Sequence, residues 1–198
     1  IKISTTPFFI EGYNYDDYRK AMGLLVLDGG EGFGSGFLIS SDGYIMTCEH
    51  CTTAEKITFV KDDDKSEYEA TVIYKNADFD IAILKIEAQN MPFLTITDSN
   101  RPLKVGTEVV ILGYPSGTDI NVNVSAFEGK IANIDKVRNA YQTDAIATHG
   151  SSGGAFISKK DGIVYGVLRA GYKDAGINIA TDIRNLLQKA DTDISIEY

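Results

Sequence analysis

The sequence predicts an all-β chain folded as a sandwich or as barrels. Three observations carry that prediction. Short β-branched and aromatic runs recur at intervals of about ten residues, separated by turn residues. Asp42-Gly43 and Asp161-Gly162 each lie between alternating runs, which is a hairpin signature. Helical periodicity is scarce along the chain.

Taken in order, the early strand segments are "GLLVLDGGEG", "GSGFLISSDGYIMT", "KITFVKDDDKSEYEATVIY" and "DIAILKI". Later ones are "EVVILGY", "GKIANI", "GAFISKKDGIVYGVL" and "GINIAT". "KDDDKS" reads as a solvated loop tip; it lacks the glycine and distal glutamate of a calcium loop. The polar, turn-rich stretch 95–108 reads as a crossing between two β-units. Helical turns are predicted over Tyr15 to Met22 and just after His50. "TDIRNLLQKA" predicts a C-terminal helix, capped by Thr181 or Asp182, with Ile183, Leu186 and Leu187 on one apolar face.

Composition narrows the function classes. The 198 residues suffice for one large or two small domains with a real core, and 43% are apolar. No apolar run approaches the ~18 residues of a membrane span. The net charge of −9 disfavours nucleic acid and anionic lipid as partners, since both call for a basic face. The two cysteines, Cys48 and Cys51, form one C-x-x-C, too few ligands for a structural zinc site even with His50 between them. They are read as packing thiols, and the missing disulfide framework tilts the reading toward a cytoplasmic setting.

The chemistry concentrates in "AIATHGSSGGAFIS", residues 145–158. Adjacent serines among glycines make either a turn or a backbone that approaches a substrate closely. Ser151 and Ser152 are both candidate nucleophiles on this ground. A nucleophilic serine requires a base, and the chain has two histidines. His149 is too close in sequence to face the serine across a tight turn. His50 ends the run "GYIMTCEH", at the rim of a β-unit, and can reach another unit. The base requires a third group to hold its ring. Asp80 directly precedes a buried strand run, whereas Asp78 is more solvated. The order His50, Asp80, serine is that of chymotrypsin-type proteases.

On these residues the chain resembles the trypsin-like serine proteases, and among them the HtrA (DegP-like) protease domain. "GSGFLISSDGYIMTCEH" resembles that family's histidine motif and "DFDIAILKI" its aspartate motif. "YQTDAIATHGSSGGAFI" resembles its nucleophile motif, and "AGINIATDIRNLL" its closing strand and helix. The resemblance implies two antiparallel six-stranded β-barrels and a C-terminal helix. The domains are then an N-terminal segment 1–21, a first barrel 22–97, a linker 98–104, a second barrel 105–181, and a helix and tail 182–198. It implies a serine endopeptidase working on protein or peptide substrates through an acyl-enzyme, as the protease domain of a larger or multi-protein system. The alternative is a protease-like fold retained only for binding.

The resemblance also assigns roles. Ser152 is the nucleophile, His50 the base and Asp80 its orienting carboxylate. The backbone N–H groups of Gly150 and Ser152 form the oxyanion hole. Ile146 lies at the base of the pocket for the P1 side chain, Asn178 reaches the same pocket, and Leu168, Arg169, Ala170 and Gly171 offer an edge for the substrate backbone. With Ile146 in place of a carboxylate, cleavage is expected after small or medium apolar residues, with Asp174 as the group able to reverse that preference. No cofactor or metal is implied. A homo-oligomer through Phe8, Phe9 and Tyr13, or a regulatory partner, fits the family. Departures from its pattern are Ser151, where Asn or Asp is usual, His149, where Pro is usual, and Arg169, which is expected either to pair with Asp80 or to point outward.

Overall fold

The computed structural model describes residues 2–4, 14–97, 102–115, 123–172, 177–184 and 195–197. Two closed, antiparallel, six-stranded barrels make up most of it. The first contains β2 (Met22–Leu27), β3 (Gly32–Leu38), β4 (Tyr44–Thr47), β5 (Ile57–Lys61), β6 (Glu67–Asn76) and β7 (Ile81–Lys85), in the order β2-β3-β4-β7-β6-β5. The second contains β8 (Glu108–Gly113), β9 (Ser125–Asp135), β10 (Ala140–Thr143), β11 (Ala155–Ser158), β12 (Val164–Tyr172) and β13 (Ile177–Asp182), in the order β10-β13-β12-β11-β8-β9. A parallel pair, β1 (Lys2–Ser4) with β14 (Ser195–Glu197), joins the two ends of the chain. Nothing in the sequence pattern announces that pair.

Both Asp-Gly pairs lie in short connections between antiparallel neighbours, β3 to β4 and β11 to β12. The first helix, α1 (Tyr15–Arg19), is shorter than its sequence signal, because the chain enters β2 at Met22. Asn14 caps it by accepting from the Asp16 N–H at 3.1 Å. At the other end, Asp182 Oδ1 accepts from the Arg184 N–H at 3.0 Å, a cap-like contact. The rest of the predicted C-terminal helix lies outside the described residues, as do Phe8, Phe9, Tyr13 and Asp174.

The barrels meet along a buried seam. Leu25, Phe37, Ile45, Phe59, Ile83 and Leu84 fill the first barrel, and Val109, Ile111, Tyr141, Phe156 and Leu168 the second. Between them Leu24, Val26 and Val60 pack against Tyr114. The crossing strand of chain docks by the exchange of N–H···O bonds between Thr95–Thr97 and Val164.

One sequence expectation is corrected here. "KDDDKS" is solvated only at Asp63 and Asp64; Asp62 is 1% exposed. Its carboxylate accepts from Arg19 Nε (2.8 Å), Tyr114 Oη (2.9 Å) and the Val124 N–H (2.8 Å), so it ties the first barrel to the second. A charged run read in one dimension does not distinguish a tip from a buried anchor.

Candidate active site

His50 lies in a 3-10 turn, Glu49–Thr52, that follows β4 at the rim of the first barrel. Asp80 directly precedes β7, with the left-handed backbone φ of 51°. That conformation costs about 1 kcal/mol or more in a non-glycine residue and persists only where its surroundings hold it. Here the Asp80 carboxylate takes the His50 backbone N–H at 3.0 Å and His50 Nδ1 at 2.9 Å. The aspartate therefore holds both the turn and the ring. Asp78, two residues earlier, is exposed.

The contact polarises both partners. The Asp80 carboxylate, and then Cys51, push His50 up to about 10 against a smaller opposing effect of burial. Burial pushes Asp80 up, but hydrogen bonds from the His50 ring and N–H, with the charges of His50 and Arg169, outweigh it and leave the carboxylate below its ordinary range. Arg169 pairs with Asp80 through Nε at 3.5 Å, the first of its two expected arrangements.

Ser152 sits in the loop between β10 and β11. Its hydroxyl donates to the Arg169 carbonyl at 2.7 Å, and among the described residues no hydrogen bond joins it to His50. The loop's backbone hydrogen bonds use the N–H groups of Ser151, Gly153 and Gly154. Those of Gly150 and Ser152 have no acceptor among the described residues. Gly150 has a φ of +89°, a conformation that side chains rarely adopt. Gly153 could not be anything larger, because a Cβ there would lie 2.0 Å from the Ser35 carbonyl.

Ser35, on β3, is a residue the sequence reading missed. It is fully buried. Its hydroxyl donates to the Gly150 carbonyl at 2.8 Å and accepts from the Tyr114 N–H at 2.9 Å. Its own N–H donates to the Ser152 carbonyl at 2.7 Å, and its carbonyl accepts from Thr47 Oγ1 at 2.7 Å. The signal was present as the Ser inside "GSG", but a serine among glycines in a strand does not reveal a partner more than a hundred residues away.

The substrate-facing assignments fare unevenly. Ile146 is corrected: its residue is 71% exposed, on the surface rather than at a pocket floor, because the buried residue at this turn is its neighbour Ala145. Asn178 is buried, and its side-chain amide donates to the Ala145 carbonyl at 2.6 Å, so it braces the loop. β12 pairs with β11 from Val164 to Val167, while β13 covers its other side to Tyr172. Leu168 is engaged by the serine loop, through Gly153 and Gly154. Ala170 and Gly171 thus lie on a strand segment with one side lacking a strand partner among the described residues. His149 is exposed.

Donor atoms of Cys48, His50 and Asp80 come within 4.8 Å of one another. They are closed on hydrogen-bond partners, however: Nδ1 on Asp80, and the Cys48 thiol on the Leu168 carbonyl at 2.8 Å. This is a hydrogen-bonded cluster.

Residues 34–167 match the family model of the trypsin-like peptidase domain. The chain belongs to the trypsin-like peptidase domain family. Within it, the peptidase domain is of the HtrA/DegP-like type. It is 33% identical over 171 residues to a probable periplasmic serine endoprotease, DegP-like, of Pseudomonas putida, covering 80% of this chain and 35% of that protein. It is 38% identical over 137 residues to a protein of the same description in Chlamydia pneumoniae, covering 68% and 28%. The chain thus spans about a third of the length of these curated relatives. The crystal structure of a serine endoprotease from Yersinia pestis superposes with a TM-score of 0.77 at 26% identity, covering 90% of this chain and 66% of that one. An HtrA-type protease solved with a tripeptide shares the fold, with a TM-score of 0.75 at 24% identity, covering 89% of this chain and 62% of that one.

These relatives correct the cytoplasmic expectation, since the curated ones are named as periplasmic proteins. The inference failed because two buried free thiols report packing, not compartment.

Proposed function

We propose that this peptidase domain is a serine endopeptidase in which Ser152 attacks the scissile carbonyl and His50 takes its proton. Asp80 holds the His50 ring with Nδ1 as donor, so that Nε2 is left to accept. The acyl-enzyme forms as His50 returns the proton to the leaving amine, and water then repeats the sequence. The N–H groups of Gly150 and Ser152 receive the negative charge of the tetrahedral intermediate; a single such donor is worth about 3–4 kcal/mol. Because the Ser152 hydroxyl rests on the Arg169 carbonyl, the reaction begins with its rotation toward His50. The substrate backbone adds as a strand along Ala170 and Gly171. Cleavage after small or medium apolar residues remains the proposed preference, since Asn178, the buried side chain assigned to that pocket, offers an amide and no carboxylate to a basic side chain.

The observation that carries this reading is the double hydrogen bond of Asp80 to the ring and backbone of His50, together with a serine loop in which two N–H groups have no acceptor among the described residues. The periplasmic naming of the relatives supports an extracytoplasmic setting.

A fluorophosphonate probe tests the reading. The domain is expected to label at Ser152 and to cleave an apolar peptide library, and Ser152→Ala to lose labelling and about 10⁶ in kcat. A folded domain that neither labels nor cleaves would be a binding module instead.

A further inference from the structure

The chain's two cysteines bracket its candidate base in the sequence Cys48-Glu49-His50-Cys51. Cys48 is the N-cap of the 3-10 turn and Cys51 its third residue. The Cys51 N–H donates to the Cys48 carbonyl at 3.3 Å, and a turn closed in this way brings its first and fourth Cα atoms within about 7 Å. A disulfide tolerates Cα separations of roughly 4.4–6.8 Å. Both thiols are free and buried, Cys48 fully and Cys51 to 3% exposure. The mechanism proposed above uses neither. There is no third cysteine to compete for either one.

We propose that Cys48 and Cys51 form a reversible disulfide that disables the His50–Asp80 pair. The two thiols are chemically unequal. The Cys48 thiol and then the His50 ring push Cys51 down to about 6, against burial, whereas burial pushes Cys48 well up. A thiolate beside a protonated thiol is the arrangement in which one sulfur attacks and the other resolves. Cys51 adjoins His50, whose side chain is 49% exposed, and its thiol lies 3.8 Å from the Ser152 carbonyl, so the reactive sulfur sits between the base and the nucleophile loop. The Cys51 thiolate attacks the peroxide oxygen, giving a sulfenic acid and releasing hydroxide, which takes up a proton to become water. Cys48 then attacks the sulfenic sulfur; the S–S bond forms and a second water leaves. Two thiols are oxidised by two electrons and one peroxide is reduced to two waters. A dithiol reverses the change by exchange.

Closure is incompatible with the geometry of the reduced turn. The sulfurs must come to about 2.05 Å. Cys48 then leaves the Leu168 carbonyl, which also holds the N–H of Gly153 beside the nucleophile. The turn must tighten around His50, whose backbone N–H and ring are both held by Asp80. A misplacement of about 1 Å at such a base costs on the order of 10²-fold in rate.

The test uses the reduced domain treated with hydrogen peroxide, and its activity arm rests on the peptidase reading above. Both cysteines fall in the tryptic peptide 21–56. That peptide should become about 2 Da lighter and refuse iodoacetamide. Peptide cleavage should fall by at least roughly tenfold and return with dithiothreitol. Cys51→Ala should keep the same rate before and after peroxide, whatever that rate is, whereas Cys48→Ala, which lacks the resolving thiol, should gain oxygen at Cys51 and form no disulfide. Three results overturn the proposal: both cysteines still alkylated under peroxide that oxidises glutathione, a disulfide with unchanged turnover, or Cys51→Ala as peroxide-sensitive as the parent. A reduced domain that cleaves nothing would instead defeat the peptidase reading. The switch is then judged by mass and by the His50 ring resonances in a His149→Gln background, which must shift on oxidation and return on reduction.

Discussion

Ser35 touches the oxyanion loop at two carbonyls, Gly150 and Ser152, while its own carbonyl is held by Thr47. It meets no substrate, so it is a positioning residue. Ser35→Ala removes the donor to Gly150 and leaves the buried Tyr114 N–H without its acceptor. The expected result is a fall in kcat of about tenfold or more with KM nearly unchanged, smaller than the 10²–10³ lost with a direct oxyanion donor. Steady-state kinetics decide it; a rise in KM alone would assign Ser35 to substrate binding. Ser151 is the contrasting case. Its hydroxyl is buried with no hydrogen-bond partner among the described residues. Such a group costs about 1–3 kcal/mol. Ser151→Ala should therefore keep activity and match or exceed the parent in Tm, and a clear loss of either in a thermal melt or a peptide assay would show that the hydroxyl has a partner. Of the two adjacent serines, residue chemistry alone could not choose, and only the motif resemblance singled out Ser152.

At the scale of elements, the 3-10 turn after β4 and the residue just before β7 set the pH response. Only the neutral His50 ring can accept a proton from Ser152. Because Asp80, and then Cys51, raise His50 from 6.5 to about 10, kcat/KM should climb with pH along a limb lying above 6.5. Sequence alone puts that limb near ~7, since it shows the residues but not the closeness of the carboxylate. Stability runs the opposite way with pH. A group with a raised folded pKa contributes fully below its unfolded value near 6.5, and the contribution is lost as pH rises through about 10. The Tm difference between the domain and His50→Ala should thus narrow from pH 6 to pH 10. A rate limb at or below 6.5 would mean that the Asp80 contact is weaker in solution. The legible elements share one property. The Asp-Gly turns, the run before His50 and the run after Asp80 are specified by local pattern and turn chemistry. Asp62, Ser35 and Ile146 were misread or missed because their roles depend on contacts between barrels or on which way a loop turns. The pairing of β1 with β14 depends on distant chain ends in the same way.

For the molecule as a whole, a site split between two barrels is only as accurate as the seam that registers them. His50 and Asp80 belong to the first barrel and Ser152 to the second. Apolar packing of Leu24, Val26 and Val60 on Tyr114 supplies adhesion, but it is non-directional. Direction comes from Asp62, whose carboxylate gathers Arg19, the Tyr114 hydroxyl and the Val124 N–H at one buried point. Tyr114 extends that registration inward, because its backbone N–H is bound by the Ser35 hydroxyl that also holds Gly150. Asp62→Ala leaves a buried phenol, a backbone N–H and a guanidinium without their acceptor. Breaking a buried charged pair in this way costs roughly 3–5 kcal/mol. For a domain of this size each kcal/mol lowers Tm by about 2–4 °C, so a drop on the order of 10 °C is expected. Asp62→Asn keeps one carbonyl acceptor and should lose less. Activity below the melt should also fall in Asp62→Ala, in kcat more than in KM, because the Tyr114–Ser35–Gly150 chain loosens. Calorimetry together with kinetics checks both halves. A Tm within about 2 °C of the parent would show that apolar packing alone registers the barrels. A lowered Tm with unchanged kcat would show that the seam and the oxyanion loop are held independently.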